Sequence, residues 1–204
     1  MMSDAPAAPE VLTVGHSNHP IDRFFDLVAG HGVNALVDVR TSPFSRFAPQ
    51  FNREALAASA RERGLAYVFL GRELGGRPSD PRLVDANGVA DYVGMARTAE
   101  FADGIARVMQ GLGKGYRIAL TCSERCPTEC HRCLLVARQI GAEGVRTAHI
   151  LFDGRREEQV ETEARILTLA GKSASLFEDA GSVLDEAYAK RARMVAWRRP
   201  PPQS

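Results

Sequence analysis

A chain of 204 residues with 45% hydrophobic and 25% charged side chains has the composition of one ordinary globular domain. Its formal net charge of +1 at pH 7 gives no general electrostatic reason to bind nucleic acid or a membrane surface. No apolar run is long enough to span a bilayer, and residues 1–10 lack the charged and apolar segments of a secretory signal. We therefore expect a cytoplasmic protein whose four cysteines stay reduced and serve chemistry or metal binding.

Predicted strands alternate with predicted helices along most of the chain. Short apolar segments bounded by glycine or polar residues predict strands at residues 11–15, 35–39, 65–70, 117–121 and 145–151. Helical spacing of apolar residues predicts helices at 22–30, 53–63, 89–110, 130–140, 157–170 and 182–197. Two long polar loops, 41–52 and 71–88, interrupt the alternation.

This alternation predicts an α/β fold with one mainly parallel five-stranded sheet, helices on both faces and Rossmann-like layering. Residues 11–170 form the predicted domain, after a flexible tail at 1–10 and before a C-terminal helix and basic, proline-rich tail at 171–204. Right-handed crossovers place the carboxyl ends of parallel strands at one edge of the sheet, where ligands bind in open α/β folds. We therefore expect polar side chains that follow different strands to meet at that edge.

The segment from Arg117 to Ala137 carries all four cysteines, between a predicted strand and a predicted helix. Pro127 and Thr128 supply a rigid turn and an N-cap candidate, which places residues 130–132 in the first helical turn, and Gly141 is the predicted end of the helix. Backbone N–H groups at a helix start have no intrahelical partner, so they favour a thiolate or a bound anion.

Several short motifs of the chain occur in the same order in a known family. They are Val14-Gly15-His16-Ser17, Val37-Asp38-Val39-Arg40 with Ser42, Pro43 and Ser45, Pro49-Gln50-Phe51-Asn52, Leu74-Gly75-Gly76, and Cys122 and Glu124 with Cys130-His131-Arg132. Over about residues 11–152 the chain resembles the bacterial proteins grouped as domain of unknown function 488. The resemblance implies a single α/β domain with an unassigned activity that is expected to be enzymatic. Cys126 and Cys133 lie outside the family's pattern.

The candidate site residues follow from their chemistry and from their places after strands. Thiol, imidazole and carboxylate groups can act as nucleophiles or carry protons near neutral pH, which makes catalytic candidates of His16, Asp38, Cys122, Glu124, Cys130 and His131. Guanidinium, hydroxyl and amide groups can hold an anion, which makes substrate-binding candidates of Ser17, Arg40, Ser42, Arg46, Gln50, Arg72 and Arg132.

Structural explanations stand beside several of these predictions. Asp38 and Arg40 share one side of a strand, so they form either a buried ion pair or a general base with an anion clamp. The loop at 41–52 is either a lid that stacks on a base and holds phosphate, or a loop whose three phenylalanines face inwards. Cysteines can also be buried packing residues.

Metal binding is the main alternative for the cysteines. Cys122, Cys126, Cys130 and Cys133 could hold zinc, with or without His131. The spacing C-x3-C-x2-C from Cys126 is also that of some iron–sulfur sites, and Cys126 with Arg132 spells the C-x5-R anion loop of cysteine phosphatases. Zinc and an iron–sulfur cluster are therefore possible cofactors, although neither is favoured.

We expect an intracellular enzyme that binds an anionic substrate at the carboxyl edge of the sheet. The substrate is a nucleotide, a nucleic-acid component or another phosphate or carboxylate, and the sequence does not fix the reaction. The alternative is a metal-binding or redox protein built on the cysteines. Nucleic acid is a possible partner that the neutral net charge disfavours, and no membrane partner is expected.

Overall fold

The computed structural model describes residues 9–172 and 179–200. Its strands are β1 (Glu10–Gly15), β2 (Ala35–Asp38), β3 (Ala66–Phe69), β4 (Ile118–Cys122), β5 (Arg146–Ile150) and β6 (Arg156–Glu158). Its α-helices are α1 (Ile21–Gly30), α2 (Arg53–Glu62), α3 (Tyr92–Met95), α4 (Ala99–Gly113), α5 (Arg138–Ala142), α6 (Gln159–Leu169) and α7 (Ala180–Val195). A π-helical segment, Arg132–Ala137, runs directly into α5, and 3-10 turns lie at Pro49–Phe51, Pro81–Leu83 and Pro127–Glu129.

The strands form one six-stranded sheet in the order β3-β2-β4-β1-β5-β6. Strands β3, β2, β4, β1 and β5 run parallel to one another, and β6 is antiparallel to β5 at the edge. The predicted mainly parallel α/β sheet is therefore confirmed, with one more strand than expected. Gly15 pairs with Cys122, and Asp38 pairs with Thr121, so the ends of β1, β2 and β4 lie side by side.

Helices cover both faces of the sheet, because alternate side chains of each strand point to opposite sides. On one face Leu12 and Val14 of β1 pack with buried side chains of α1 and α2, among them Phe24, Val28 and Leu56. On the other face the core joins β-strand residues to α4, the π-helical segment, α6 and α7; it includes Val11, Leu120, Phe101, Ile105, Leu134, Val136, Ile166 and Tyr188. The predicted placement of helices on both faces of the sheet, with Rossmann-like layering, is thus confirmed.

The single helix predicted over residues 89–110 is wrong. Thr98 interrupts it, because its hydroxyl accepts the N–H of Phe101 and caps the start of α4. Val89 and Ala90 are extended instead and pair with the segment after α7: the N–H of Ala90 donates to the carbonyl of Trp197 at 2.9 Å. The segment that follows α7 therefore packs against residues 88–90.

The start of the helix predicted at 157–170 is also wrong. Residues 156–158 form β6, and Glu158 is the N-cap of α6 in a reciprocal capping box with Glu161. The tail predicted at 1–10 falls outside the described residues except for residues 9 and 10. Of the segment predicted at 171–204, residues 173–178 and 201–204 fall outside them, and the helix predicted at 182–197 is observed as α7. No helix in the described part of the chain has the length and apolar character that crossing a membrane demands.

Candidate functional site

The carboxyl ends of β1, β2 and β4 are joined by backbone hydrogen bonds just beyond the sheet. The N–H of His16 donates to the carbonyl of Cys122 at 2.9 Å, and the N–H of Ser17 donates to that of Ser123 at 2.9 Å. The N–H of Val39 donates to Thr121 at 3.1 Å on the other side of β4. Residues far apart in sequence therefore reach one place, as parallel strands of an open α/β sheet require.

Four chemically active side chains form what we name the Cys–Glu–His cluster: Cys122, Glu124, Cys130 and His131. One side-chain atom of each, able to bind a metal, lies within 4.8 Å of the others. The Sγ atoms of Cys122 and Cys130 lie 2.8 and 3.0 Å from Oε2 of Glu124, and 3.8 and 3.9 Å from Nδ1 of His131. The cluster thus brings together four residues that were predicted as catalytic.

Local backbone structure places Cys130 at the start of a helix. Its dihedral angles, φ −135° and ψ 139°, are extended, and its carbonyl accepts the N–H of Leu134 at 3.0 Å, so Cys130 is the N-cap residue. It therefore precedes the first helical turn, in which it was predicted to lie. The helix also continues past the predicted end at Gly141 to Ala142, and Gly144, with φ +78°, supplies the left-handed conformation that follows.

The ring of His131 is held by the backbone of β2 and by a glycine. Its Nε2 lies 2.9 Å from the carbonyl of Val39 and donates to it, which leaves the lone pair of Nδ1 facing the two thiols. Gly76 packs against the other side, where an added Cβ would lie 2.7 Å from Cγ of the ring. The Gly75-Gly76 turn therefore lets the loop after β3 approach His131 closely.

The pKa values of the four groups in the cluster are shifted in different directions. Burial, and then the hydrogen bond with Cys130, raises the pKa of Cys122. Burial alone would raise the pKa of Cys130, but the hydrogen bond from Cys122 and the nearby guanidinium of Arg132 hold that pKa well below the usual value. Burial also opposes protonation of His131, yet the charge of Cys130 raises its pKa overall. Glu124 is exposed as a residue, but the atoms crowded around its carboxyl group raise that group's pKa, with Cys130 as the second cause.

The guanidinium of Arg132 lies beneath the cluster and is fully buried. Its Nη1 donates to the carbonyl of Glu124 at 2.6 Å, its Nη2 to that of Arg125 at 3.3 Å, and its Nε to Oγ1 of Thr13 at 3.3 Å. Gly15 leaves room for this turn, since a Cβ there would lie 1.9 Å from the carbonyl oxygen of Glu124. Arg132 therefore stabilises the turn after β4. The structure gives it this structural role in place of the predicted direct contact with substrate.

Asp38 and Arg40 form the buried ion pair that was one of the two predictions for them. Oδ1 of Asp38 accepts Nε of Arg40 at 2.8 Å, and Oδ2 accepts Nη2 at 2.6 Å and the hydroxyl of Tyr67 at 2.7 Å. Asp38 is fully buried. Its oxygens are thus used within the protein, which argues against the alternative role of general base.

His16 completes this network rather than the Cys–Glu–His cluster. Its Nδ1 donates to the carbonyl of Ser17 at 2.9 Å, its Nε2 accepts Nη1 of Arg40 at 3.1 Å, and its ring stacks on Phe51 at 4.1 Å. Burial, with the charge of Arg40, lowers the pKa of His16 to about 4. The ring is therefore neutral near pH 7, with both nitrogens occupied, which favours a structural role over the predicted catalytic one.

Comparison with protein families identifies the chain. The family model described as Domain of unknown function DUF488 matches residues 20–139, which is more than half of the sequence. The chain belongs to this family. The match confirms the resemblance drawn from the motifs. No curated protein and no solved structure matches the chain.

A cavity of about 160 Å³ opens over the cluster of this DUF488 protein. Of the predicted site residues, Arg40, Ser42 and the four members of the Cys–Glu–His cluster line it. The lining also includes residues that had not been chosen as candidates: Thr41, Gly76, Arg77, Tyr92, Ser123, Glu129, Val195 and Trp197. Arg77 follows the Gly75-Gly76 turn and could have been found from that signal, whereas no strand end precedes Tyr92 or Trp197.

The remaining substrate-binding candidates lie away from this cavity. Arg46 is exposed, and Arg72 is exposed with its nearest ion-pair contact to Glu100 at 3.9 Å. Gln50 donates to the carbonyl of His19 at 3.3 Å, and Ser17 has a positive φ of 46° in the turn after β1. None of the four is among the residues that line the cavity.

The loop predicted as a lid divides its phenylalanines between core and solvent. Phe51 is buried under His16, whereas Phe44 and Phe47 are 70% and 95% exposed. The prediction that all three face inwards is therefore wrong for two of them. None of the three lines the cavity.

The four cysteines of this DUF488 chain do not form the predicted four-thiol set. Cys126 contacts Oγ1 of Thr128 and Nη2 of Arg165, both at 3.2 Å, and it lies outside the Cys–Glu–His cluster. Cys133 is buried in the hydrophobic core, and burial raises its pKa. Two thiols remain at the site, so the metal-ligand prediction is corrected to Cys122 and Cys130 with Glu124 and His131 as neighbours.

Proposed function

We propose that the protein is a cytoplasmic enzyme that binds a small anionic substrate over the Cys–Glu–His cluster. The observation that carries the proposal is that two thiols, a carboxylate and an imidazole face one cavity at the carboxyl edge of the sheet. These are the side chains that act as nucleophiles, metal ligands or proton carriers in enzymes. The cysteines, all four within the described residues, are free thiols, which supports a reducing compartment.

Arg77 supports an anion as the substrate. It is exposed on the loop after β3 and lines the cavity, and within the described residues no carboxylate oxygen lies within ion-pair distance of it. Arg40 also lines the cavity, but Asp38 already balances its charge. Ser42 and Ser123 also line the cavity, and their hydroxyl groups provide further hydrogen-bond donors.

The size of the cavity limits the substrate. Its volume of about 160 Å³ is smaller than the roughly 300–1,000 Å³ that is typical of sites for drug-sized ligands. A phosphate or carboxylate group fits such a space, as does the phosphate end of a nucleotide. The proposal is therefore a small anion, or the anionic end of a larger molecule, bound with its charge towards Arg77.

Binding of inorganic phosphate, acetate and AMP, measured by thermal stabilisation and titration calorimetry, tests this proposal. At least one probe should stabilise the chain with a saturating dose response. Arg77→Ala should weaken that binding about tenfold or more, since a hydrogen bond to a charged group contributes about 1.5–3 kcal/mol. Arg82→Ala is the matched control, because Arg82 is exposed on the same loop and paired with Asp80.

Turnover is then sought with the probes that bind, and Glu124→Gln should abolish it while leaving the folded protein intact. Absence of binding by all three probes at millimolar concentration would contradict an anion site. Equal effects of Arg77→Ala and Arg82→Ala would show that the attraction comes from general surface charge.

A metal-binding or redox function without turnover is the second candidate. It is favoured by the proximity of the two thiols of Cys122 and Cys130 to each other and to Nδ1 of His131. It ranks second because the same groups line a polar cavity together with Arg77, which has no ion-pair partner among the described residues, and a purely structural metal site does not need such a cavity.

A further inference from the structure

Possible ligand atoms of the four residues of the Cys–Glu–His cluster lie within 4.8 Å of one another, and all four residues line the cavity. We propose that Cys122, Cys130 and His131 bind one zinc ion, and that Glu124 stands beside the coordination position that faces the cavity. The inference deepens the proposed function and rests on it for the role of the cavity, because it gives that enzyme its metal cofactor. Its evidence is the geometry of the Cys–Glu–His cluster.

The distances fit three zinc ligands. Zinc lies about 2.3 Å from a thiolate sulfur and about 2.0–2.1 Å from an imidazole nitrogen, so tetrahedral angles put S and N about 3.6 Å apart. The two Sγ–Nδ1 distances, 3.8 and 3.9 Å, are close to this value. The Sγ–Oε2 distances to Glu124, 2.8 and 3.0 Å, are too short for a fourth corner of the same tetrahedron. Glu124 is therefore assigned to the side of the ion, where it can exchange a proton with a bound molecule.

The surroundings of His131 are those of a metal ligand. The carbonyl of Val39, 2.9 Å from Nε2, fixes the tautomer in which Nδ1 carries the lone pair. Histidine ligands of metals commonly donate their second N–H to such an acceptor, which orients the ring and raises its basicity. Gly76 packs closely on the ring, since a Cβ at this position would lie 2.7 Å from Cγ of His131. The lone pair is therefore aimed at the thiols before a metal arrives.

The ligand types select zinc. Two thiolates and an imidazole are soft to borderline donors, which suit zinc and disfavour magnesium or calcium, whose ligands are oxygens. An iron–sulfur cluster commonly needs four thiolates, and Cys126 and Cys133 lie outside the cluster. The backbone N–H of Arg132 also approaches Sγ of Cys130 at 3.5 Å and can stabilise a thiolate ligand there. Three protein ligands with an open position are the pattern of a catalytic rather than a structural zinc site.

The ion, when bound, would act as a Lewis acid on an oxygen of the substrate or of water in the cavity. The protein's own part is to hold the ligands, to keep Glu124 within reach of that position and to attract the anion through Arg77. The buried Arg132 fixes the backbone of Glu124 from below through its 2.6 Å hydrogen bond. This arrangement separates the group that carries protons from the groups that hold the metal.

Metal binding is measured on the full chain without any substrate. The purified protein is analysed for its metal content, stripped with a chelator and titrated with Zn²⁺ alone. Stripped protein is also loaded with Co²⁺, whose absorption reports thiolate ligands. We expect one zinc ion per chain and a thiolate-to-cobalt absorption band. Cys130→Ser should weaken zinc binding by at least about 100-fold, and Cys126→Ser, the matched control, should leave it unchanged. Glu124→Gln should retain the ion with less than about a tenfold change.

Three results would overturn the assignment. The first is stripped wild-type protein that stays folded and takes up no zinc, which decides the matter even if Cys130→Ser fails to fold. The second is equal loss of zinc from Cys126→Ser, and the third is loss from Glu124→Gln as complete as that from Cys130→Ser. If the chain binds phosphate but no zinc, the metal site is refuted and the anion site is kept. If the chain binds zinc but no anion, the metal site is kept and the anion site is refuted.

Discussion

The buried carboxylate of Asp38 provides the sharpest test of which residues maintain the fold. Its two oxygens accept four hydrogen bonds: from the backbone N–H, Nε and Nη2 of Arg40 and from the hydroxyl of Tyr67. An asparagine at this position has nearly the same shape, but an NH₂ group replaces one carboxylate oxygen and would face hydrogen-bond donors. Asp38→Asn would also leave the guanidinium of Arg40, whose side chain is only 6% exposed, without its counter-charge.

The expected cost follows from this burial. Breaking a buried ion pair by removing one partner costs about 3–5 kcal/mol, because the remaining charge stays buried and uncompensated. Tyr67→Phe removes one hydrogen bond to the same carboxylate and should cost less, about 1.5–3 kcal/mol. A domain is commonly stable by about 5–15 kcal/mol, so Asp38→Asn should lower the unfolding midpoint strongly and still leave some folded protein.

Urea denaturation followed by circular dichroism measures the free energy of unfolding. The matched control is Asp22→Asn: Asp22 pairs with Arg63 at the surface, its side chain is 81% exposed, and we expect a change below about 1 kcal/mol. If Asp38→Asn also changes stability by less than about 1 kcal/mol yet removes ligand binding or turnover, the structural reasoning is refuted and Asp38 acts on the substrate.

Three further predictions concern a glycine, a histidine and the tryptophan. Gly15→Ala should destabilise by about 2 kcal/mol in urea and displace the turn at Glu124, while Gly30→Ala, where a Cβ meets nothing within 4 Å, should be neutral or slightly stabilising; equal effects would contradict the packing at Gly15. Burial lowers the pKa of His149 from 6.5 to about 4, so on acidification the unfolded chain protonates this imidazole before the folded chain does. The free energy of unfolding should therefore be highest above pH 6.5 and should fall by about 3 kcal/mol between pH 6.5 and pH 4. When denaturation is measured at each pH, a His149→Gln variant should lose correspondingly less stability than the wild type over this pH range. An equal dependence of stability on pH in the two proteins would contradict the prediction. Trp197→Ala, which removes one wall of the cavity, should weaken AMP binding by about 1 kcal/mol in calorimetry with zinc content unchanged, and a matching loss of zinc would show that the fold of the site had been disturbed.

Periodicity in the sequence was sufficient for the layered α/β fold, because buried strands and amphipathic helices differ in how often an apolar residue must recur. It failed at residues 89–110, where Thr98 can cap a helix as readily as it can lie within one. It failed again at Arg156–Glu158, because three polar residues have no strand pattern until β5 provides a partner. These short segments take their conformation from neighbours distant in sequence.

The sequence by itself determined which groups could do chemistry. Cys122, Glu124, Cys130 and His131 lie close together along the chain, after a strand whose parallel neighbours bring Val39 to the same edge. The direction in which long or charged side chains point was decided only by the tertiary structure. Arg132 turns inwards and donates to the backbone carbonyls of Glu124 and Arg125, while Arg77, which the sequence did not single out, lines the cavity from a loop. A guanidinium goes where acceptors or open space allow, and residues distant in sequence place those acceptors.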